Sequence, residues 1–327
     1  MKLVTFETTS GEQRIGALKD DLKTIVDLKA GAAKNGGDTA PFADMLALIN
    51  VGEKGLATAR DIVAKADKTA LVDLASVRLL APVPVPASMR DFLAFELHYR
   101  QARARALKIR ASSYPDPAKA EKELAGSDEF TIPPIWYEQP IYYKGNRFAV
   151  IGTGQDILWP SHSKKLDFEL EYGFFIGKKG KNIPRDKARE HIFGYTIFND
   201  MSARDSQYKE YPGRLGPAKG KDFDTGNVMG PWLVTADEIS DPYNLEMKVR
   251  INGEEWGRGI SGTMHHKFED MIVHASRDET LHPGEFFGSG TVGNGCGLEH
   301  DRWLKPNDVI ELEVAGLGTL RNKVVAQ

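Results

Sequence analysis

Two glutamates separated by one residue, Glu169 and Glu171, lie in a stretch of alternating polar and apolar residues. The alternation predicts a β-strand, on which both side chains point to one face with their Cα atoms ~7 Å apart. Two carboxylates at this spacing can converge on one hard cation, although on a half-buried strand they could equally face water. The apolar run over 172–176 favours a strand buried on both faces, where carboxylates need a cation.

Two aspartates occur in comparable positions. Asp91 follows a proline-rich segment, and Asp200 stands where an apolar strand ends on a polar turn. Each could bind a cation with the two glutamates. Each could instead lie at a helix N-terminus, where aspartate is favoured.

The overall charge is nearly balanced, with 43 Lys and Arg against 46 Asp and Glu. This balance gives no support for nucleic-acid binding, which usually requires a strongly basic domain. No apolar run approaches the ~20 residues of a membrane span. The single cysteine, Cys296, excludes an intramolecular disulfide. With no signal-peptide core at the start, we therefore expect a cytoplasmic protein.

The length of 327 residues is sufficient for about two domains. Apolar spacing predicts a strand over 3–6 and helices over 42–49 and 55–65. Three alternating prolines over 81–86 force an extended chain. We place a boundary there, between a small N-terminal α+β domain over 1–80 and a main domain over 81–327.

Strands dominate the main domain. The Asn252-Gly253 pair predicts a hairpin, and residues 309–314 alternate with a period of two. Helices are expected over 187–192, over 268–276 and near 99–110. The polar, proline-containing stretch over 111–131 completes a predicted lid insertion at about 99–131.

Several weaker sequence motifs can be interpreted only together with the residues that flank them. Residues 288–293 match G-x-G-x-x-G, but a glycine-rich segment comes next instead of a helix, so nucleotide binding is not expected. The basic run from Arg100 to Arg110 fits either a solvated helix face or a lid that attracts an anionic substrate. His265 and His266 are expected to be structural. Cys296 stands in a glycine-rich loop, and a nucleophilic role is not expected for it.

Five short blocks, taken in order, resemble the fumarylacetoacetate hydrolase family, whose members split or rearrange dioxo and oxo acids with a divalent cation. The blocks are Asp91 to His98, Glu169 to Glu171, Asn199 to Gln207, Gly220 to Asp224, and Gly288 to Thr291. The resemblance extends from about residue 81 to the C-terminus. It implies an α+β, mainly β fold: a mixed β-roll of the family type with a small N-terminal α+β domain.

The resemblance also implies individual roles. The implied metal ligands are Asp91, Glu169, Glu171 and Asp200; the implied catalytic residues are His98, Lys221 and Gln207; and the implied substrate-binding residues are Arg204, Tyr143 and Thr291. A ligand set of oxygens alone favours Mg²⁺, Mn²⁺ or Ca²⁺ over Zn²⁺. The expected partners are a small anionic oxo acid and a second copy of the chain in a homodimer, with no nucleic acid or membrane.

The implied activity is hydrolysis of a C–C bond in a dioxo acid of the fumarylacetoacetate, fumarylpyruvate or acylpyruvate type. His98 would act as general base, and Lys221 with Gln207 would offset developing negative charge. One feature departs from the family, because no glutamate stands after the glycine-threonine block where a histidine partner is expected. Gln101 stands at the alternative position, and Glu96 or Glu299 could substitute.

This departure leaves two other functions open. A decarboxylase, isomerase or hydratase of a 2-oxo acid would use the same metal site, since stabilising an enolate serves each reaction. A non-catalytic metabolite-binding protein would need the cation but not the histidine.

Overall fold

The computed structural model describes residues 1–326. Residues 1–80 form an antiparallel sheet covered by short helices. The strands are β1 (Lys2–Glu7), β2 (Gln13–Leu18), β3 (Thr24–Asp27), β4 (Leu71–Asp73) and β5 (Arg78–Leu79), and the helices are α1 (Leu28–Lys34), α2 (Met45–Val51) and α3 (Glu53–Lys65). Asp27 and Asp44 cap α1 and α2 by accepting backbone N–H groups two or three residues into each helix.

Residues 81–326 contain fourteen strands and six α-helices. The strands are β6 (Met89–Phe92), β7 (Tyr142–Lys144), β8 (Val150–Ile151), β9 (Asp156–Leu158), β10 (Leu166–Asp167), β11 (Leu170–Ile176), β12 (Ile192–Asp200), β13 (Ser202–Ala203), β14 (Asn227–Thr235), β15 (Glu246–Ile251), β16 (Glu254–Ile260), β17 (Phe286–Gly288), β18 (Val309–Val314) and β19 (Gly318–Val325). The helices are α4 (Glu96–Ala111), α5 (Pro117–Leu124), α6 (Ile135–Glu138), α7 (Arg204–Glu210), α8 (Phe268–Ala275) and α9 (Gly297–His300).

Most strands belong to one mixed sheet of twelve. Its order is β4-β3-β2-β1-β14-β12-β11-β17-β6-β7, with β5 beside β1 and β8 beside β14. The β6–β17 and β8–β14 pairs are parallel. A second sheet has the order β16-β15-β18-β19-β9, and β10 pairs with β13. These mixed sheets with surrounding helices confirm the predicted α+β fold.

The N-terminal strands extend the central sheet of the main domain. Strand β1 pairs with β14 in the register Lys2 to Val234 and Leu3 to Leu233. Phe42, beside α2, lies in the same apolar core as Phe198 of β12. Residues 1–80 therefore share both a sheet and a core with the main domain, and the domain boundary near residue 80 stays a prediction.

Several predicted elements are confirmed and others differ. The Asn252-Gly253 hairpin joins β15 to β16, and β18 buries every second residue. The helix expected over 187–192 is instead a 3-10 helix over Arg185–His191. Residues 99–131 contain most of α4 and all of α5, and their role as a lid stays a prediction. Within residues 1–326, every helix is too short or too polar to cross a membrane.

The strand that the sequence predicts across Glu169 and Glu171 is interrupted. Asp167 accepts the Phe168 N–H at 2.9 Å through its own carboxylate, and the Glu169 N–H donates to the Asn199 side chain at 3.0 Å. The strand is therefore broken at Phe168 between β10 and β11, while Glu169 keeps an isolated β-bridge to Cys296. Strand β11 is fully buried, as its apolar run predicts.

Replacing Gly173 with alanine should destabilise the central sheet. A Cβ at Gly173 would lie 2.4 Å from the Phe286 ring and 2.5 Å from the carbonyl oxygen of Phe287. We expect Gly173→Ala to lower the free energy of unfolding by about 1–3 kcal/mol, the usual cost of overpacking. Urea unfolding measures the change. Gly126→Ala is the matched control, since nothing lies within 4 Å of its Cβ position, and an equal loss in both variants would contradict the packing argument.

Candidate functional site

Three buried carboxylates meet inside the central sheet. Asp91 on β6, Glu171 on β11 and Asp200 at the end of β12 each place an oxygen within 4.8 Å of the others. Strand β17 separates β6 from β11, but its residue opposite Asp91 is Gly288. A Cβ at Gly288 would lie 2.4 Å from Asp91 Oδ1. The missing side chain therefore leaves the space in which Asp91 reaches the other two, and we call these three residues the carboxylate cluster.

The carboxylate cluster has the chemistry of a cation site. Burial and mutual repulsion raise the pKa of Asp91 and of Glu171 well above the usual range. Burial likewise raises the pKa of Asp200 to about 6, against the opposing charge of Lys221. Among residues 1–326, Asp91 Oδ1 and Asp200 Oδ1 are buried without a hydrogen-bond partner. Buried, unpartnered carboxylate oxygens fit a hard divalent cation such as Mg²⁺ or Mn²⁺.

Two residues expected to bind substrate contact the carboxylate cluster. The Tyr143 hydroxyl donates to Asp200 Oδ2 at 2.8 Å. The Thr291 hydroxyl donates to Glu171 Oε1 at 3.2 Å, and the Gly290 N–H donates to Glu171 Oε2 at 3.0 Å. Burial raises the pKa of Tyr143 well above its usual range, so the phenol keeps its proton and remains a donor. These bonds orient the carboxylates.

Glu169 lies beside the carboxylate cluster with partners of its own. Arg204 Nη2 donates to its Oε1 at 2.7 Å, and Lys221 Nζ contacts its Oε2. Burial alone would raise the pKa of Glu169, but these two cations hold it well below the usual range. The structure thus brings together three of the four predicted metal ligands, and the ligand roles of all four stay predictions.

Lys221 connects Glu169 to the carboxylate cluster. Its ammonium contacts Asp200 Oδ2 as well as Glu169, and the side chain is 4% exposed. Burial would lower the pKa of Lys221, but the charges of Asp200 and Glu169 raise it above the usual value. These charges therefore favour the ammonium form of Lys221, a donor at the edge of the cluster.

Arg204 is held by internal partners. Its Nε donates to Asp167 Oδ2 at 2.8 Å, and its Nη1 donates to Gln207 Oε1 at 3.1 Å. Together with Glu169, these contacts occupy the buried guanidinium from three sides. Sequence reasoning missed Asp167, although the repeated acids of Asp167, Glu169 and Glu171 at every second position contained the signal.

His98 has the carboxylate partner whose identity the sequence leaves open. His98 Nδ1 lies 3.0 Å from Glu299 Oε1, and the Glu299 side chain is fully buried. An ionised carboxylate only accepts hydrogen bonds, so this contact places a proton on Nδ1 and leaves Nε2 as an acceptor. Glu96, the other candidate, pairs with Arg100 at the surface. Glu299 is therefore the residue that orients His98.

Asp167 also positions the short helix that carries Glu299. Its carboxylate accepts the N–H groups of Gly297 at 2.8 Å and Leu298 at 3.0 Å, at the start of α9. The same carboxylate binds Arg204, which in turn binds Glu169. The His98–Glu299 pair and the carboxylate cluster are thus joined through buried ionic contacts.

Gln101 and Cys296 lie close to His98 in different ways. Gln101 Nε2 donates to Asn294 Oδ1 at 2.7 Å, so this residue anchors the glycine-rich loop and does not contact His98. Cys296 Sγ lies 3.9 Å from His98 Nδ1. Burial raises the pKa of the Cys296 thiol well above its usual range, which agrees with the expectation that it is not a nucleophile.

The arginines of the basic run are partly engaged within the protein. The pairs are Arg100 with Glu96, Arg103 with the carbonyl oxygen of Glu129, and Arg105 with Asp301. Asp301 comes directly after α9, so Arg105 ties α4 to the helix that carries Glu299. Structural ties thus account for these three arginines.

Two cavities of about 310 and 260 Å³ lie elsewhere in the molecule. The larger is lined by His265, His266 and His274 among others, and the smaller by His162 and Lys219 among others. His265 and His266 pack on Trp136, consistent with a structural role. Neither cavity is lined by the carboxylate cluster, whose members are at most 6% exposed.

Comparisons with known proteins agree with this geometry. Residues 111–325 match the family model described as fumarylacetoacetate (FAA) hydrolase C-terminal. The chain is 32% identical over 327 residues to the mitochondrial oxaloacetate tautomerase fahd2 of Xenopus laevis, covering 99% of this chain and 90% of that protein. Its fold matches a fumarylacetoacetate hydrolase from Exiguobacterium antarcticum, with a TM-score of 0.74, 24% identity and full coverage of both chains.

A third match concerns a metal-containing structure. A maleylpyruvate hydrolase from Sphingobium sp. SYK-6, solved with manganese(II) and pyruvate, has a TM-score of 0.71 and 24% identity, over 100% of this chain and 99% of that one. At this identity the match shows the fold. Together with the family model and the relative from Xenopus laevis, it leads to one conclusion: the chain belongs to the fumarylacetoacetate hydrolase family.

Proposed function

We propose that the protein is a divalent-metal-dependent tautomerase that interconverts the keto and enol forms of a small 2-oxo acid of the oxaloacetate type. The observation that carries this proposal is the similarity to the Xenopus laevis oxaloacetate tautomerase, which extends over nearly the whole of both chains. The closed site supports it as well. Tautomerisation moves a proton and needs no water molecule, so a buried centre suits it.

Asp91, Glu171 and Asp200 would hold the cation, because their buried carboxylate oxygens lie close together and one oxygen each of Asp91 and Asp200 has no hydrogen-bond partner. When bound there, a divalent cation polarises the 2-oxo carbonyl as a Lewis acid. Glu169 could join as a fourth ligand through Oε2 by leaving its contact with Lys221, while Oε1 keeps its contact with Arg204.

His98 is the group that would move the proton. Its Nδ1–H is held by Glu299. Nε2 lies 3.9 Å from Glu169 Oε1, beyond hydrogen-bond distance, and can accept a proton from the carbon next to the carbonyl. Glu299 then stabilises the imidazolium that forms. Returning the proton to oxygen gives the enol, so one C–H bond breaks, one O–H bond forms and no co-reactant is consumed.

Lys221 and Gln207 would stabilise the charge on the substrate. The Lys221 ammonium is buried and charged beside Asp200, where it can offset negative charge that develops on an oxygen. Gln207 lies next to Arg204 and offers an amide to the same region. In the proposed site, Arg204 holds Glu169 in place, while Tyr143 and Thr291 orient the cluster for an anionic substrate.

Hydrolysis of a C–C bond is a second candidate, favoured by one observation. The His98–Glu299 pair is an oriented histidine of the kind that activates water. Glu299 supplies in space the carboxylate partner that this sequence lacks at the family's usual position. The buried pair also argues against a protein that only binds a metabolite.

The partner and compartment remain predictions that accompany this proposal. The substrate would be a small anionic oxo acid, and the protein would act as a homodimer without nucleic acid or membrane. Cytoplasmic location stays a prediction as well, while the relative from Xenopus laevis is named mitochondrial.

The decisive test compares products. Purified protein with Mg²⁺ or Mn²⁺ should accelerate the loss of enol absorbance from oxaloacetate while the mass of the acid stays unchanged. Acylpyruvates and fumarylpyruvate are assayed in parallel with products identified by mass. Two acids from these substrates, with no effect on oxaloacetate, would mean hydrolysis and refute the tautomerase; carbon dioxide would mean decarboxylation.

Glu299→Gln should slow turnover by roughly 10²–10⁴-fold, the range of general acid–base catalysis, because His98 loses its ionised partner. Affinity for Mn²⁺ should not change. Glu96→Gln is the matched control: Glu96 is partly exposed and pairs with Arg100 rather than His98. Similar losses in the two variants would show that Glu299 does not orient the histidine.

Asp91→Asn should weaken Mn²⁺ binding strongly, measured by calorimetry, because one buried carboxylate of three is lost. In the parent protein, affinity should fall as pH drops through about 6, the pKa of Asp200, because protons then compete for the same oxygens. Asp278→Asn is the control, since the Asp278 side chain is 91% exposed. Unchanged affinity in Asp91→Asn, or affinity independent of pH, would contradict the cluster assignment.

A further inference from the structure

Cys296 and Glu299 bring a thiol and a carboxylate to the Nδ1 side of the His98 imidazole. Nε2, the other ring nitrogen, is the one expected to act on substrate. Cys296 Sγ lies 3.9 Å from His98 Nδ1, and Glu299 Oε1 lies 3.0 Å from the same nitrogen. One ligand atom from each residue lies within 4.8 Å of the other two. Ligands bonded to one zinc ion at ~2.0–2.3 Å are separated by roughly 3–4 Å, so these atoms are near the spacing of a tridentate site.

This group, which we call the thiol trio (His98, Cys296 and Glu299), differs in chemistry from the carboxylate cluster. The cluster offers only oxygens, which select hard cations such as Mg²⁺ and Mn²⁺. The thiol trio offers sulfur, nitrogen and oxygen, a set that selects Zn²⁺ and other thiophilic ions. The two sets share no residue, so each can bind its own ion.

We propose that the thiol trio is a second, inhibitory metal site that takes Zn²⁺ or a similar thiophilic divalent ion. This inference goes beyond the proposed tautomerase, because it concerns an ion that stops the reaction. Occupation of the site acts directly on the histidine that both candidate reactions require.

The inhibition results from a change in which nitrogen of the His98 imidazole carries the proton. An ion bonded to His98 Nδ1 replaces the hydrogen bond to Glu299, and the imidazole proton then resides on Nε2. A protonated Nε2 cannot accept a proton from substrate, so His98 no longer acts as a base. Cys296 binds as a thiolate and releases its proton to solvent, with no change of oxidation state.

The thiol trio is closed, which affects the rate of binding. The side chains of His98 and Glu299 are 7% and 0% exposed, and Cys296 is fully buried. Helix α4, which carries His98 in its first turn, buries only three of its 16 residues. Displacement of this helix, against its contacts through Gln101 and Arg105, would admit the ion, so we expect inhibition to develop slowly after mixing.

A spectroscopic test reads the thiol trio without any substrate. Co²⁺ bound to a thiolate gives a charge-transfer band in the near ultraviolet, and Cys296 is the only cysteine in the sequence. The parent protein titrated with Co²⁺ should show the band, whereas Cys296→Ser and Cys296→Ala should not. Absence of the band from the folded parent protein overturns the proposal whatever reaction the enzyme catalyses.

An activity test then asks whether the ion inhibits. With Mg²⁺ in excess, Zn²⁺ should inhibit oxo-acid turnover by the parent protein. Cys296→Ser should need at least about tenfold more Zn²⁺, since even outer partners of a metal change its affinity by this factor. Cys296→Ala, which cannot ligate, is the second variant if serine disturbs folding. Equal sensitivity of parent and variants would place inhibition at the carboxylate cluster and overturn the proposal.

Discussion

The central constraint on this structure is the burial of like charges. Six carboxylates inside the main domain are at most 6% exposed. One of them, Glu285, pairs with Arg90, and the other five are Asp91, Asp167, Glu169, Glu171 and Asp200. Two buried cations, Arg204 and Lys221, pair with three of them. Removing an ionised carboxylate from water is costly unless a cation or several hydrogen bonds replace the lost hydration. The remaining repulsion between Asp91 and Glu171 is what makes this centre a place for a divalent ion.

The positions of the strands satisfy this requirement. Carboxylates on β6, β11 and β12 can meet only if the intervening strand leaves room, and Gly288 on β17 does so. Hydrogen bonds from Gly290 and Thr291, just beyond that strand, orient Glu171. The glycine-rich segment that superficially matches a nucleotide-binding pattern thus serves the carboxylates. Its glycines allow the backbone to approach a protein carboxylate closely, as the Gly290 N–H does at Glu171.

Local sequence patterns predicted several strands and a hairpin of this structure. The features that they did not predict depend on contacts between residues far apart in the chain. Alternation and turn residues were enough for β18, for the hairpin at Asn252 and for the buried strand after Glu169, because each depends on neighbours along the chain. The His98–Glu299 contact joins residues 201 positions apart, and no local pattern encodes it. The break at Phe168 likewise depends on Asn199 from another strand. The extension of the central sheet by residues 1–80 also depends on strands that are distant in sequence, since β1 pairs with β14.

The ion pairs of Lys221 compensate part of the buried negative charge from within the protein. The ammonium already neutralises part of the charge of Asp200 and Glu169, so these carboxylates have a counter-ion before any metal arrives. Compensation of these two charges is therefore part of the polypeptide itself. In this respect the protein differs from small domains that fold only around their ion.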